Sequence, residues 1–393
     1  MRVYAVNAAT NPNSEHAKAE MIKYMDAEYE NASSLHSFGQ SAAAALAEAR
    51  ERIGKCIGAD AGEIYFTSGG SEADNQAIIS AAHFGAKKNK KHIISTKIEH
   101  HAVLHTLDRL KKEGYEVTLL DVDENGLITA EQVREALRED TCLVTVMFAN
   151  NEIGTIMPIA EIGAICREKK IPFPTDAVQA AGHLHIDDKA KNIDMLSISA
   201  HKFHGPKGIG TLYCRRGAYI EAIISGGAQE KGKRAGTANL PAIMGMAAAL
   251  EDAVASIDEN AEKLCKMRDK LISELSKIEK TIVNGDRVKR LPGNVNMCFQ
   301  GIEGESLLLM LDMYGIAASS GSACTSGSLD PSHVLLALGL PHAVAHGSLR
   351  LSLSEYTTEA EVDHIIECVP KVVERLREMS PVWERILRGE EIL

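Results

Sequence analysis

Seven short runs rich in apolar and β-branched residues, at 64–67, 92–95, 117–120, 143–148, 171–175, 195–199 and 210–214, predict buried strands. Stretches with helical spacing of apolar positions, at 40–57, 73–87, 102–112 and 159–169, lie between most of them. Strands that alternate with helices need crossover connections. The pattern therefore predicts an α/β fold with a mostly parallel, seven-stranded sheet covered by helices. After position 252 the pattern changes: a long helical stretch reaches 279, and short strands follow at 281–283 and 294–299. This reads as a second, smaller α/β unit. The expected division is a large domain, 15–255, and a small domain formed by 1–14 and 256–393.

Composition narrows the function classes. At 393 residues with 45% hydrophobic residues, the chain can bury large sheets. Its net charge of −11, with Lys and Arg dispersed, argues against nucleic acid or an anionic membrane as the main partner. The opening Met1-Arg-Val-Tyr-Ala-Val is too short for a signal peptide, and no later segment approaches about 20 uninterrupted apolar residues. Residence in the cytoplasm is expected. The eight cysteines include no Cys-x-x-Cys pair and no zinc-type Cys/His spacing, so neither a disulfide framework nor a structural metal is expected.

Ligands of open α/β sheets gather at the carboxyl ends of strands. Thr67-Ser-Gly-Gly-Ser71, Asn150, Asp176 and Ser199 fall at or just beyond such ends and can converge. Lys202 lies in Ser197-Ile-Ser-Ala-His-Lys-Phe-His-Gly-Pro-Lys-Gly-Ile-Gly, after an apolar run and before a glycine-punctuated turn. A lysine that bonds an aldehyde needs a partly dry strand end where its amine can lose a proton, and pyridoxal phosphate enzymes use one in this way. Asp176, one strand away, is placed to pair with that cofactor's pyridinium nitrogen. A lone lysine is nearly always a surface lysine, but Ser199, His201 and His204 crowd this one with hydrogen-bonding groups. Gly69-Gly-Ser71 before a helix suits the phosphate, because glycine admits an anion close to the backbone and the helix start offers N–H groups. Cys324 lies in Ala318-Ser-Ser-Gly-Ser-Ala-Cys-Thr-Ser-Gly-Ser328, which has little apolar surface to bury; a mobile loop with a reactive thiol is expected. Cys142, Cys166, Cys214 and Cys298 sit among apolar neighbours and read as core residues.

Seven segments in register carry a resemblance. They are Tyr65 with Thr67-Ser-Gly-Gly-Ser-Glu-Ala-Asp-Asn75, Glu99-His-His-Ala-Val103, Asn150-Asn-Glu-Ile-Gly154, the lysine segment, Arg234-Ala-Gly-Thr237, the cysteine loop and Leu349-Arg-Leu-Ser-Leu353. Over nearly its whole length the chain resembles the cysteine desulfurases of the NifS/IscS type, class V aminotransferases with the fold type I architecture of pyridoxal phosphate enzymes. Asp330-Pro-Ser-His-Val334 is similar to the nitrogen-fixation branch.

The resemblance implies pyridoxal 5'-phosphate as cofactor and L-cysteine as substrate. Lys202 would anchor the cofactor and then remove the substrate's α-proton, and Cys324 would take the sulfur as a persulfide, leaving L-alanine. His100 would stack on the cofactor ring and serve as acid and base; adjacent His101 matches no motif position. Gly70, Ser71, Asp176, Gln179, Ser199 and His201 would hold the cofactor, with Gln179 expected on the same helical face as Asp176. Thr237 would reach the phosphate of the partner subunit, which requires a homodimer. Asn151 and Arg350 would bind the substrate carboxylate. Cys324 would pass sulfur to an iron–sulfur scaffold or sulfur-acceptor protein, transiently ligating a shared cluster; no metal belongs to the isolated enzyme. Three positions depart from the family pattern: Val6 stands where an acidic residue is usual, Pro174 replaces a histidine, and His183 a lysine. A selenocysteine lyase or another pyridoxal phosphate-dependent β-eliminating lyase is the alternative, and a non-catalytic scaffold a third. Replacing Cys324 by alanine separates the first two, since a simple lyase keeps its turnover.

Overall fold

The computed structural model describes residues 1–26, 28–187, 189, 191–321 and 331–389. In chain order the strands are β1 (Val3–Tyr4), β2 (Ile64–Thr67), β3 (His92–Thr96), β4 (Glu116–Leu120), β5 (Thr141–Val144), β6 (Pro174–Asp176), β7 (Met195–Ser199), β8 (Gly210–Cys214), β9 (Thr281–Val283), β10 (Asn294–Phe299), β11 (Ile316–Ala317) and β12 (Ser348–Ser352). The expected seven strands form two hydrogen-bonded groups, ordered β2-β8-β7-β6 and β4-β3-β5. Backbone bonds from Val144 N–H to Pro172 O (3.1 Å) and from Phe148 N–H to Asp176 O (2.7 Å) join them edge to edge. Pairing is parallel except at β8, which runs against both β2 and β7.

The helix Gly70–Ala86 packs on β7 and β8, and Ala73, Ala77, Ile78 and Ala81 are buried along it. Ser37–Ile57 is a helix because its alanines favour one; His36 caps its start by accepting from Gly39 N–H, and Gly58 at φ 80° ends it. The apolar run at 143–148 outlasts its strand, because its second half continues as buried non-strand backbone toward Asn150. The helical stretch expected from 252 to 279 is instead two helices, Leu240–Ala255 and Ile257–Leu275, bent by 69° around Ser256.

Two large apolar cores are present. One gathers the central sheet and its helices, with Ile53, Ile94, Val144, Phe173 and Ile198 in its interior. The other joins Val3 and Ala5 to Leu264, Leu271, Phe299, Leu349 and Val369, around an antiparallel sheet ordered β12-β10-β9. The start of the chain reaches that second core through the parallel pair β1-β11. Cys142, Cys166, Cys214 and Cys298 are buried, as their neighbours indicated. Among the described residues no single helix is long and apolar enough to cross a membrane.

Candidate active site

A cavity of about 360 Å³ opens at the carboxyl ends of β6 and β7, where the two cores meet. Its wall brings together Gly70, Ser71, His100, Asn151, Asp176, Gln179, Ser199, His201, Lys202 and Arg350. One residue named with them lies elsewhere, and another is outside the described residues. Thr237 is exposed and outside the cavity wall, on the segment whose Arg234 pairs with Glu72 at 2.9 Å. Cys324 lies outside the described residues.

Lys202 ends a single 3-10 turn, Ala200–Lys202, that follows β7 directly. Its ammonium donates to the carbonyls of Ala8 and Ala9 at 2.6 and 2.8 Å. The segment after β1 is thereby pulled over the cavity, where Gln179 also donates to Ala8 O at 3.0 Å. Asp176 is the last residue of β6, buried, and accepts from Val178 N–H at 2.8 Å. Burial raises its pKa, while His100, that N–H and Lys202 pull the other way. Gln179 does not share a helical face with Asp176. Residues 178–183 form turns, and both side chains reach the cavity because the chain reverses immediately after β6.

The helix Gly70–Ala86 starts at the cavity with Gly69, which offers no side-chain cap, so its first N–H groups face the opening. A Cβ on Gly70 would sit 2.5 Å from Val178 Cγ2 and 3.6 Å from Ser199 Cβ, so only glycine leaves this wall intact. His201 contacts Thr10 Oγ1 at 3.2 Å; burial, helped by Lys202 and Lys207, lowers its pKa to about 4. It is a neutral ring at ordinary pH and serves as a donor without charge. A backbone cradle at a helix start, a buried carboxyl one strand from a lysine amine, and hydroxyl and imidazole donors beside them fit pyridoxal 5'-phosphate.

His100 caps the next helix, His101–Lys112, its Nδ1 accepting from Ala102 N–H at 3.1 Å. His101 turns away from the cavity and packs on His105 and His333, with ring centroids 5.0 and 4.7 Å apart. Arg350 enters from β12, fully buried, donating to Asn151 O at 3.0 Å and to Ser319 Oγ at 3.3 Å.

Sequence reasoning missed four contributors: Ala8, Ala9, Asp74 and Glu99. Asp74 lines the cavity from the helix face that carries Gly70, hydrogen-bonded to Ser197. Burial, and then the nearby Asp176, push its pKa well up. Glu99 is wholly buried behind His100; its Oε1 accepts from the Thr96 hydroxyl at 2.7 Å and from Met147 N–H at 3.0 Å. An acid within an otherwise apolar helix face was a usable signal for Asp74. Ala8 and Ala9 contribute only carbonyls, which no side chain announces.

Comparison with known proteins agrees with this geometry. The family model for aminotransferase class-V matches residues 3–365. A cysteine desulfurase IscS of Clostridium botulinum is 52% identical over 393 residues, 99% of each chain, and one of Methanosarcina thermophila is 52% identical over 98% of this chain and 95% of its own. Among solved structures, a NifS-like protein superposes with a TM-score of 0.90 at 37% identity, covering 96% of this chain and 100% of its own. SspA in complex with cysteine superposes with a TM-score of 0.80 at 36% identity, covering 91% and 100%. The chain belongs to the class-V aminotransferase family, and within it to the lineage of cysteine desulfurases.

Proposed function

We propose that this chain is a pyridoxal 5'-phosphate-dependent cysteine desulfurase that converts L-cysteine to L-alanine and loads the sulfur on Cys324, for delivery to iron–sulfur cluster assembly. The observation that carries this reading is one cavity holding Lys202, Asp176, His100 and Arg350 together. The bound cofactor supplies an aldehyde that a lysine amine can bond and a ring that accepts electron density from the substrate's α-carbon.

The chain's own groups divide the remaining work. The buried guanidinium of Arg350, with Asn151 beside it, offers a planar fork for the substrate carboxylate and so sets its orientation. Lys202, held between Ala8 and Ala9 at a strand end, is the base for the α-proton. Asp176 is placed to pair with a ring cation, and burial together with the nearby Asp176 pushes the pKa of Asp74 well up, which disfavours a second charge beside it. His100 faces the cavity and exchanges protons with the thiol groups. The Cys324 thiolate then forms the S–S bond as the substrate's C–S bond breaks; the electron pair stays with the carbon fragment, which takes up protons and leaves as alanine.

A homodimer in which Thr237 completes the partner's phosphate site, and a sulfur-acceptor protein that unloads Cys324, belong to the same proposal. Thr237 supports the first by being exposed and off its own chain's cavity. Alanine formation from L-cysteine by the holoenzyme, compared with Cys324→Ala, tests the reading. The variant is expected to lose nearly all turnover. A variant that keeps it would place the enzyme among simple β-eliminating lyases.

A further inference from the structure

A second cavity, of about 260 Å³, opens beside the helices Gly70–Ala86 and Ile159–Lys169. Thr141 and Met195, the first residues of β5 and β7, border it, so it lies at the end of the sheet opposite the cofactor cavity and shares no residue with that cavity's wall. Its floor is apolar: Ala81, Cys142, Cys166, Ile171 and Met195 are all buried. Burial pushes both thiols up to about 12, so the floor carries no charge at neutral pH.

The rest of the lining is strongly charged. In a chain of net charge −11, Lys88, Lys90, Arg167, Lys170 and Arg215 meet here around one acid, Asp194. That acid is already engaged. Its Oδ2 accepts from Phe173 N–H at 3.0 Å and its Oδ1 from Arg215 Nε at 2.6 Å, with Arg167 Nη2 3.5 Å away. Among the described residues the Nη groups of Arg215 form no hydrogen bond, and Lys88, Lys90 and Lys170 form no ion pair. Cations gathered without counter-charge set up a local field that favours an anion, and a guanidinium with free Nη groups suits a carboxylate.

The remaining wall decides what the anion is attached to. Phe84 and Tyr219 stack on each other at 5.3 Å, and Lys88 and Lys87 each cover one of the two rings, 4.2 Å from its centroid. Neither ring has a face left for an aromatic ligand, whereas the dry floor accepts an aliphatic chain. The volume lies just below the about 300–1,000 Å³ of sites that enclose a drug-sized molecule, so the occupant is small.

We propose that this cavity binds a small carboxylate with a short aliphatic chain, the chain on the floor of Cys142, Cys166 and Met195 and the carboxylate against Arg215 and the lysines. The site is independent of the desulfurase reading and would stand if that reading failed.

Titration calorimetry of the holoenzyme with butanoate, hexanoate and octanoate tests it. Each pair of added methylenes buried on the floor should tighten binding about 15-fold, at one ligand per chain. Octanol, which lacks the charge, should bind at least about tenfold more weakly than octanoate. The double variant Lys90→Glu, Lys170→Glu should bind octanoate at least about tenfold more weakly than wild type. Affinity that changes less than about twofold along the series would reduce the site to a patch of charge, and octanol binding as tightly as octanoate would reduce it to a greasy surface; either overturns the proposal. Undiminished octanoate binding in the double variant would place the probe elsewhere, at Arg350 for one, and overturn it too. The chain series and octanol need no variant, so they decide the matter if the double variant does not fold.

Discussion

Lys202 carries the account at the level of single residues. Replacing it by alanine removes both the anchor and the base, so alanine formation is expected to fall by at least roughly 10²–10⁴-fold, read directly from product assays. Borohydride should no longer fix the cofactor to the chain; a variant still fixed at another lysine would contradict the assignment. Glu99 behaves differently. Burial lifts its pKa from 4.5 to about 8, more than its bonds from Thr96 and Met147 lower it. The unfolded carboxyl releases its proton near 4.5 while the folded one keeps it to about 8, so stability from this group is full below 4.5 and lost as pH rises through that window. Glu99→Gln cannot ionise. Its melting temperature should gain on that of wild type steadily between about pH 5 and pH 8; a gap that stays constant across that range would show that Glu99 is already charged.

At the scale of elements, the start of the helix Gly70–Ala86 is the most constrained point. Alanine at Gly70 would gain about 1 kcal/mol of helix propensity, but its Cβ would meet Val178 at 2.5 Å. Overpacking costs about 1–3 kcal/mol, and Val178 is held in its turn by its bond to Asp176, so the clash prevails. Gly70→Ala is therefore expected to melt lower than wild type and to bind pyridoxal 5'-phosphate at least about tenfold more weakly in a fluorescence titration. Wild-type values for both would remove Gly70 from the phosphate cradle. The turn at 178–183 keeps Gln179 in the cavity wall, where it donates to Ala8 O.

The whole molecule sets the cavity between two cores, with Lys202 and Asp176 on the large sheet and Arg350 on β12 of the smaller one. A homodimer predicts sedimentation at twice the chain mass, and dilution to monomer should release the cofactor; a monomer with full cofactor affinity would contradict a role for Thr237 across the interface. Much of this was legible in the sequence. Strand ends marked by Gly69-Gly70, Asp176 and Ser199 read correctly because buried runs that stop at polar residues leave a clear signal. The break at Ser256 did not, since neither glycine nor proline marks the 69° bend between Leu240–Ala255 and Ile257–Leu275. Asp74 and Glu99 were unreadable as a set because their mutual repulsion with Asp176 exists only once the strands are side by side. The central claim is that sulfur from L-cysteine comes to rest on Cys324. Mass spectrometry of the holoenzyme after exposure to L-cysteine, on the tryptic peptide containing Cys324, tests it directly. The account predicts one added sulfur on that peptide, removed by a reducing thiol, with alanine released in equal amount. Alanine released while that peptide stays unmodified would contradict it.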